Sequence, residues 1–542
     1  MARMTGGEAM VDSLIRHGVD TVFGLPGVQT YGLFDALARH SNAIRLIGAR
    51  HEQGCAYMAT GYAVASGKPG VYSVVPGPGV LNTTAALCSA FAINAPVLCL
   101  TGQVPSVFLG QGHGHLHELP DQLATLRGLV KWADRIDHVS QVPVLMARAF
   151  QEMLSGRTRP VALEMPWEQF TTSAEILPQD PLPLLPNPPP DPAGIAAAVR
   201  LIAQAKAPMV FVGGGAVGAQ AQVRALAERL GAPVVSFRAG RGVLDDDHPL
   251  SLTITAGHLL WPRTDLLIGI GTRLEGPGWR WTPPPPNLKR LRIDIDPAEI
   301  RRGRPTVGLV ADAAAALDAL LAALPGELPP GWPDAVTQAK RDAAEATQKV
   351  QPHMDYLREL RKVMPNDSYV VDDVCQSGFA AVFGYPIHRP RGFVTSGYQG
   401  TLGAGFPTAL GVKVGAGERK VAVLTGDGGF MFAATEMATA VQHGIGLTTI
   451  LFNNNAFGNV ARDQKRQFGG RLSGSRLQNP DFQIFARSFG VPSWRVTSPD
   501  AFRSALEAAL EEQGPTLVEV VTDIEQEVSP WKFLAPGAFP DD

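Results

Sequence analysis

Cysteine is scarce in this chain. Four occur in 542 residues, at positions 55, 88, 99 and 375, and none forms a Cys-x-x-Cys pair. A disulfide-stapled scaffold and the usual zinc-ribbon spacings are thereby excluded, and the thiols read as small residues in a reducing compartment. Charge of either sign is also in short supply. Charged residues make up 18% of the chain and the net charge is −3, so no basic surface argues for nucleic acid. Long hydrophobic runs are missing too. The most apolar early stretch, LCSAFAINAPVLCL (87–100), is too short to cross a bilayer and contains Asn94 and Pro96. The first residues carry Arg3, Glu8 and Asp12 with no apolar centre, so no signal peptide is read there. The expectation is a cytoplasmic protein that engages neither membrane nor nucleic acid.

Glycine and proline, by contrast, are plentiful, at 58 and 45, and show no collagen-like period. Hydrophobic residues reach 45%, enough for a large core. The length suggests about three domains. Residues 1–175 alternate helical and strand patterns: helical periodicity at 6–18, 31–40, 52–66 and 79–92, with strand-like DTVF, IRLIG, VYSVV and PVLCLTG between. Such alternation predicts a parallel sheet covered by helices on both faces. Residues 176–192 are a Pro-rich linker that cannot form a regular helix or a central strand. A second α/β unit covers 193–330, a second crossover 331–352, a third α/β unit 353–528, and an aromatic, Pro-containing tail 529–542. The fold class is therefore α/β, with three doubly wound parallel-sheet domains.

The most informative stretch is GDGGFMFAATEMATAVQHGIGLTTILFNNNAFGNV (426–460). The apolar strand VAVLT runs into a Gly-flanked aspartate, Asp427. A helix-like segment follows, and the strand LTTILF then ends in three asparagines. Asp427 and Asn454 stand 27 positions apart. Two strand ends thus place hard oxygen ligands and close-approach glycines at one edge of a sheet. That chemistry suits a Mg²⁺ ion carrying a diphosphate, with backbone N–H groups reaching the phosphates across the glycines. A lone Gly-Asp-Gly is an ordinary turn. The whole pattern resembles the fingerprint of thiamine-diphosphate enzymes, in particular the pyruvate decarboxylase and acetolactate synthase group, and the three-domain order extends the resemblance over essentially the whole chain. It implies the thiamine-diphosphate-binding fold for the first and third domains and a Rossmann-like middle domain. It also implies Asp427, Asn454 and the Ala456 carbonyl as Mg²⁺ ligands, with Gly426, Gly428, Gly429, Phe457 and Gly458 around the diphosphate.

The same resemblance carries further residues. Glu52, in ARHEQGCAYMATGYAVASGKPGV (49–71), follows a strand and opens a helix. An acidic residue is at home in any first helical turn; in this group it is the carboxylate beside the aminopyrimidine N1′. The loop TSGYQGTLGAGFP (395–407) resembles the one that reads the pyrimidine's other edge, with the Gly400 carbonyl as acceptor and Leu402 as a wedge under the cofactor. Gln376 and Ser377 match diphosphate-contacting positions, although Ser377 departs from the histidine common in acetolactate synthases. Because the group takes the glutamate from one subunit and the diphosphate domain from another, a homodimer is implied at minimum, and a homotetramer is compatible with it.

Three places bear on the substrate. In GLPGVQTYGLF (24–34), Gln29 stands where it can hydrogen-bond a substrate carbonyl or simply be solvated. In LGQGHGHLHELPDQ (109–122), His117 and Glu118 match a Gln-Glu pair of acetolactate synthases, and an imidazole there can move protons; alternating His113, His115 and His117 also raise the thought of a metal. In NNNAFGNVARDQKRQFGG (453–470), Asn459 and Asp463 replace the methionine and tryptophan usual in acetolactate synthases. The reading is a C–C lyase and carboligase that decarboxylates a small 2-oxo acid and transfers the acyl carbanion to a carbonyl acceptor. A non-ligating 2-oxo acid decarboxylase is the alternative. Residues 213–218, GGGAVG, formally fit the dinucleotide fingerprint, so an NAD-dependent oxidoreductase is the alternative from another class, although the following strand lacks the acidic ribose partner. The resemblance makes FAD in the middle domain an option, weakened by TITAGHLLWP where the flavin segment differs.

Overall fold

The computed structural model describes residues 2–395 and 398–539. Ser396 and Gly397 of the expected pyrimidine loop, and the last three residues of the tail, lie outside them. Three six-stranded parallel sheets organise the chain. In the first, the spatial order is Arg45–Gly48, Thr21–Gly24, Gly70–Val74, Val97–Gln103, Val161–Pro166, Trp132–Arg135. In the third it is Phe393–Thr395, Tyr369–Asp372, Val421–Gly426, Thr448–Asn453, Thr516–Val521, Ser493–Val496. Counted along the chain, both sheets have the order 2-1-3-4-6-5. The middle sheet runs Ser251–Leu252, Val234–Ser236, Pro208–Val212, Leu266–Ile270, Lys289–Asp294, Val307–Val310, which is the 3-2-1-4-5-6 order of the Rossmann fold. The alternation read from sequence is thus realised three times. A short antiparallel pair, Ala2–Thr5 with Ser173–Ile176, ties the two ends of the first domain together.

Residues 177–191 contain no regular element, and the helix Pro192–Gln204 opens the middle domain under an Asp191 cap. Within the second crossover, the helix Pro333–Thr347 buries Val336, Ala339 and Ala343. Trp332, just before it, donates its indole N–H to the Pro208 carbonyl at 2.8 Å. That segment is therefore docked on the middle domain by its apolar stripe.

The first and third domains share one core. Helix Glu52–Ser66 is buried almost all round, as is Gly405–Ala416, and the two pack along each other. Small residues make this possible. A Cβ on Gly61 would lie 2.0 Å from the Thr408 carbonyl oxygen, and one on Gly411 would lie 1.9 Å from that of Met58. The backbones touch where side chains are missing, as an all-buried helix pair requires. Gly411→Ala tests this contact. Helix propensity alone favours alanine by roughly 1 kcal/mol, whereas overpacking costs about 1–3 kcal/mol. The expected outcome is a lowered unfolding midpoint in thermal or denaturant melts, and an unchanged or raised midpoint contradicts the packing.

Candidate active site

The third sheet presents three adjacent strand ends at its carboxyl edge. Tyr369–Asp372 leads to Cys375, Val421–Gly426 to Asp427, and Thr448–Asn453 to Asn454. The first two strands flank the point where the crossovers reverse direction, the place where open α/β sheets bind ligands.

Asp427 opens a short helix, Asp427–Phe430, and is 2% exposed. Burial pushes its carboxyl up to about 6, against the donors around it. One of these is the Asn479 amide, which donates to Asp427 Oδ2 at 2.7 Å. The same nitrogen reaches the side-chain oxygens of Asn453 and Asn455, both at 3.2 Å. The three asparagines therefore divide their work. Asn453 donates to buried Glu519 at 2.8 Å. Asn454 donates to Glu527. Asn455 takes the left-handed backbone, φ 54°, which turns the chain so that its carbonyl accepts from Leu477 N–H at 2.8 Å and Phe457 N–H donates to Ser475 at 2.9 Å. The 475–479 segment thus braces the ligand loop. A Cβ on Gly428 would lie 2.5 Å from the Phe457 ring, so the glycine admits the aromatic beside the loop.

Gln376 and Ser377 begin the helix Gln376–Gly384, capped by Cys375 through the Gly378 N–H. Both are buried, and Gln376 Oε1 has no protein partner. The Gln376 amide nitrogen donates to Asn459 Oδ1 at 3.3 Å, and Trp531 of the tail donates its indole N–H to the same oxygen at 2.7 Å. Asn459 is thus fixed by the tail, whose Trp531–Leu534 turn the sequence's lack of periodicity did not announce. Asp463 is half-exposed and pairs with Arg466 at 3.3 Å. Gly400, with φ 63°, and Gly403, with φ 77°, bracket half-buried Leu402. Beneath them lies Asp373, which is 2% exposed, accepts from Thr425 Oγ1 at 3.0 Å and is raised by burial.

Glu52 sits where sequence placed it, first in its helix, and accepts from Asn82 Nδ2 at 3.0 Å. Its turn is anchored from the third domain. Buried Glu436 accepts the backbone N–H groups of Arg50, at 3.1 Å, and His51, at 3.0 Å. Among the described residues, no hydrogen bond joins Glu52 to Asp427 or to 454–458 of the same chain.

Gln29 and His117, separate candidates in sequence, come together. Gln29 is 1% exposed, and its Nε2 donates to the Leu116 carbonyl at 3.0 Å. Its Oε1 is 2.8 Å from His117 Nδ1. Because the amide nitrogen is committed to Leu116, Oε1 accepts and Nδ1 donates, which leaves Nε2 outside this hydrogen bond. Glu118 turns back on its own loop and accepts the N–H groups of Gly112 and His115 at 3.1 and 2.9 Å. His115 stacks on Phe108 at 3.9 Å. Among the described residues the three loop histidines form no metal-ligand cluster.

Asn479, Asp373, Glu436 and Glu527 escaped the sequence reading. None stands at a spacing that singles it out: Asp373 directly follows a strand, Glu436 closes a short turn before a helix, and Asn479 and Glu527 lie in irregular segments. Of the four cysteines, Cys55 and Cys99 are buried and Cys88 and Cys375 are partly buried. In the middle domain Gly213–Gly215 does not open a helix directly. A turn at Gly214–Ala216 intervenes, and the helix begins at Gln220.

The donor set at the third sheet fits Mg²⁺. It comprises one buried carboxylate whose charge the protein does not neutralise, one asparagine oxygen and one carbonyl, all hard ligands. Comparisons with known proteins bear on the family. The descriptions "Thiamine pyrophosphate enzyme" N-terminal TPP binding domain, central domain and C-terminal TPP binding domain match residues 4–125, 195–320 and 373–520. The chain is 34% identical over 534 residues to the probable 2-ketoarginine decarboxylase AruI of Pseudomonas aeruginosa, covering 95% of this chain and 94% of that one. It is 31% identical over 552 residues to acetolactate synthase isozyme 1 large subunit of Escherichia coli, covering 99% and 97%. With the probable acetolactate synthase large subunit of Methanocaldococcus jannaschii it shares 32% over 554 residues, covering 96% and 92%. With these relatives matched nearly end to end, and with all three of its sheets accounted for, the chain belongs to the thiamine pyrophosphate-dependent enzymes of the acetolactate synthase group.

Proposed function

We propose that the protein is a Mg²⁺- and thiamine-diphosphate-dependent enzyme that decarboxylates a small 2-oxo acid and passes the acyl unit to a carbonyl acceptor. What supports this is the placement of Asp427 and the asparagine run at adjacent strand ends, together with Glu52 at a helix start anchored by Glu436. When bound, the cofactor supplies the electron sink as CO₂ leaves. The chain's residues do the rest. Glu52 holds a proton at the aminopyrimidine, Gly400 accepts from its amino group, and Leu402 supports the ring. Gln376 and Ser377 face the diphosphate. His117, with Nδ1–H fixed on Gln29, offers Nε2 for proton transfer at the substrate.

We place the two halves of the site on two copies of the chain. Among the described residues no hydrogen bond joins Glu52 to Asp427 or Asn454 of its own chain. The apolar side chains of Leu81, Met431, Phe432 and Val460 are each at least 41% exposed beside these elements, a surface suited to a partner. No described helix is long and apolar enough to cross a membrane, and four free thiols are in keeping with the cytoplasm.

A simple decarboxylase is the second reading. Polar Asn459, held by Trp531, and Asp463 line the segment where acetolactate synthases are apolar, and one relative is named a decarboxylase. For the middle domain we propose a nucleotide without a flavin. The cavity of about 380 Å³, lined by Gly213–Gly215, Asp294, Asp312 and Arg157, is near the small end of cofactor pockets, about 300–1,000 Å³. The 254–263 segment is packed inward, with Trp261 fully buried against Trp281.

Incubation with Mg²⁺, thiamine diphosphate and a panel of 2-oxo acids, with and without aldehydes, tests the main reading. Products that are 2-hydroxy ketones or acetohydroxy acids support it, and aldehyde alone replaces it with the decarboxylase. Glu52→Gln is expected to slow deuterium exchange at the thiazolium C2 by NMR at least about 100-fold, and full exchange contradicts the role. His117→Phe should lower kcat/KM by about 100-fold or more while leaving C2 exchange intact, whereas unchanged turnover removes His117 from the chemistry.

A further inference from the structure

The amide of Asn454 has two unlike ends, and the structure treats them differently. Its Nδ2 donates to both oxygens of Glu527, at 3.0 and 3.2 Å. Its Oδ1 faces the other way and accepts the Ala456 N–H at 3.2 Å. An amide oxygen turned toward a carboxylate would be repelled, so the pair permits one amide orientation only. That orientation is the one a metal ligand needs, since only the oxygen can coordinate Mg²⁺.

Glu527 is itself held in place. It lies six residues beyond the strand Thr516–Val521 and is 8% exposed. Thr522 Oγ1 donates to its Oε1 at 2.8 Å. Arg462 Nη2 stands 3.7 Å from Oε2, and His353 Nε2 stands 3.9 Å from Oε1. Among the described residues, neither Arg462 Nη atom has a hydrogen-bond partner, nor does either nitrogen of buried His353. Glu527 thus accepts from Asn454 and Thr522, with the Arg462 guanidinium within ion-pair distance. The other side-chain ligand is braced in a comparable way, since Asn479 donates to Asp427 Oδ2 at 2.7 Å.

We propose that Glu527 is the positioning residue of the Mg²⁺ site, fixing the Asn454 amide so that its oxygen faces the ion. This rests on the Mg²⁺-diphosphate reading given above. Glu527 does not touch the metal; it acts through Asn454, the way partners behind metal ligands fix their orientation.

The test titrates Mg²⁺ into apo-protein at fixed thiamine diphosphate, following tryptophan fluorescence, so that binding and not turnover is read. Glu527→Gln keeps the shape but offers a nitrogen as well as an oxygen, and either amide orientation of Asn454 then finds a partner. The half-saturating Mg²⁺ concentration is expected to rise about 10- to 100-fold. Thiamine diphosphate affinity at saturating Mg²⁺ should stay near wild type. A half-saturation within about twofold of wild type overturns the proposal. Should Glu527→Gln not fold, Thr522→Val, which keeps the carboxylate and removes its hydroxyl donor, is read in the same way. A several-fold rise supports the proposal and an unchanged value overturns it. Asp427→Asn run alongside separates the two levels. If wild type binds the cofactor without Mg²⁺, or Asp427→Asn binds it as wild type does, the metal-site reading itself fails. If Asp427→Asn abolishes binding while Glu527→Gln behaves as wild type, only the Glu527 assignment falls.

Discussion

A buried carboxylate that the protein does not neutralise is the constraint around which this molecule is arranged. Asp427 is raised from 3.8 to about 6 by burial, which corresponds to on the order of 3 kcal/mol against ionisation. No lysine or arginine pairs with it among the described residues; its partners are neutral amides, from Asn479 and the nearby backbone. Such a group is costly in a fold that uses it for nothing, because buried charges are ordinarily paired. On the proposed function, a divalent cation turns the cost into affinity. The strand ends, the left-handed Asn455 and the 475–479 brace all serve to keep that one oxygen in place.

The second constraint is distance. Glu52 belongs to the first domain and Asp427 to the third, yet both domains share one core through helices that touch backbone to backbone at Gly61 and Gly411. Glu436 crosses the same boundary to cap the turn before Glu52. The intrachain contact therefore anchors the turn that carries Glu52, and among the described residues no hydrogen bond links Glu52 to Asp427. On the proposed function, a second copy of the chain closes that gap, and the exposed Phe432 and Met431 next to Asp427 belong to the surface that does so.

Much of this was legible in the sequence because the relevant physics is local. A strand that runs into Gly-Asp-Gly, or ends in three asparagines, places its ligands at a sheet edge wherever the sheet sits. The alternating pattern likewise dictated parallel sheets, and the helix over 52–66 matched residue for residue. What escaped is what only folding brings together. Asn479 reaches Asp427 across 52 positions, and Glu527 reaches Asn454 across 73; single polar residues in irregular segments carry no periodic signal. The Gln29–His117 hydrogen bond joins loops 88 positions apart, so each residue was visible alone and their pairing was not. The short tail turn was hidden for another reason: its hold on Asn459 depends on one indole N–H and not on any hydrophobic period.

The central claim is that each active site draws Glu52 from one chain and Asp427 from another. Co-expression of differently tagged Glu52→Gln and Asp427→Asn chains, with isolation of the mixed species, tests it directly. Each variant alone should be inactive. In the mixed dimer one site combines both defects, and the other combines the intact Glu52 of one chain with the intact Asp427 of its partner. The account predicts that the mixed species recovers about half of the wild-type rate per dimer, since one of its two sites is whole. A mixed species as inactive as its parents would place both residues of each site on a single chain and contradict the account.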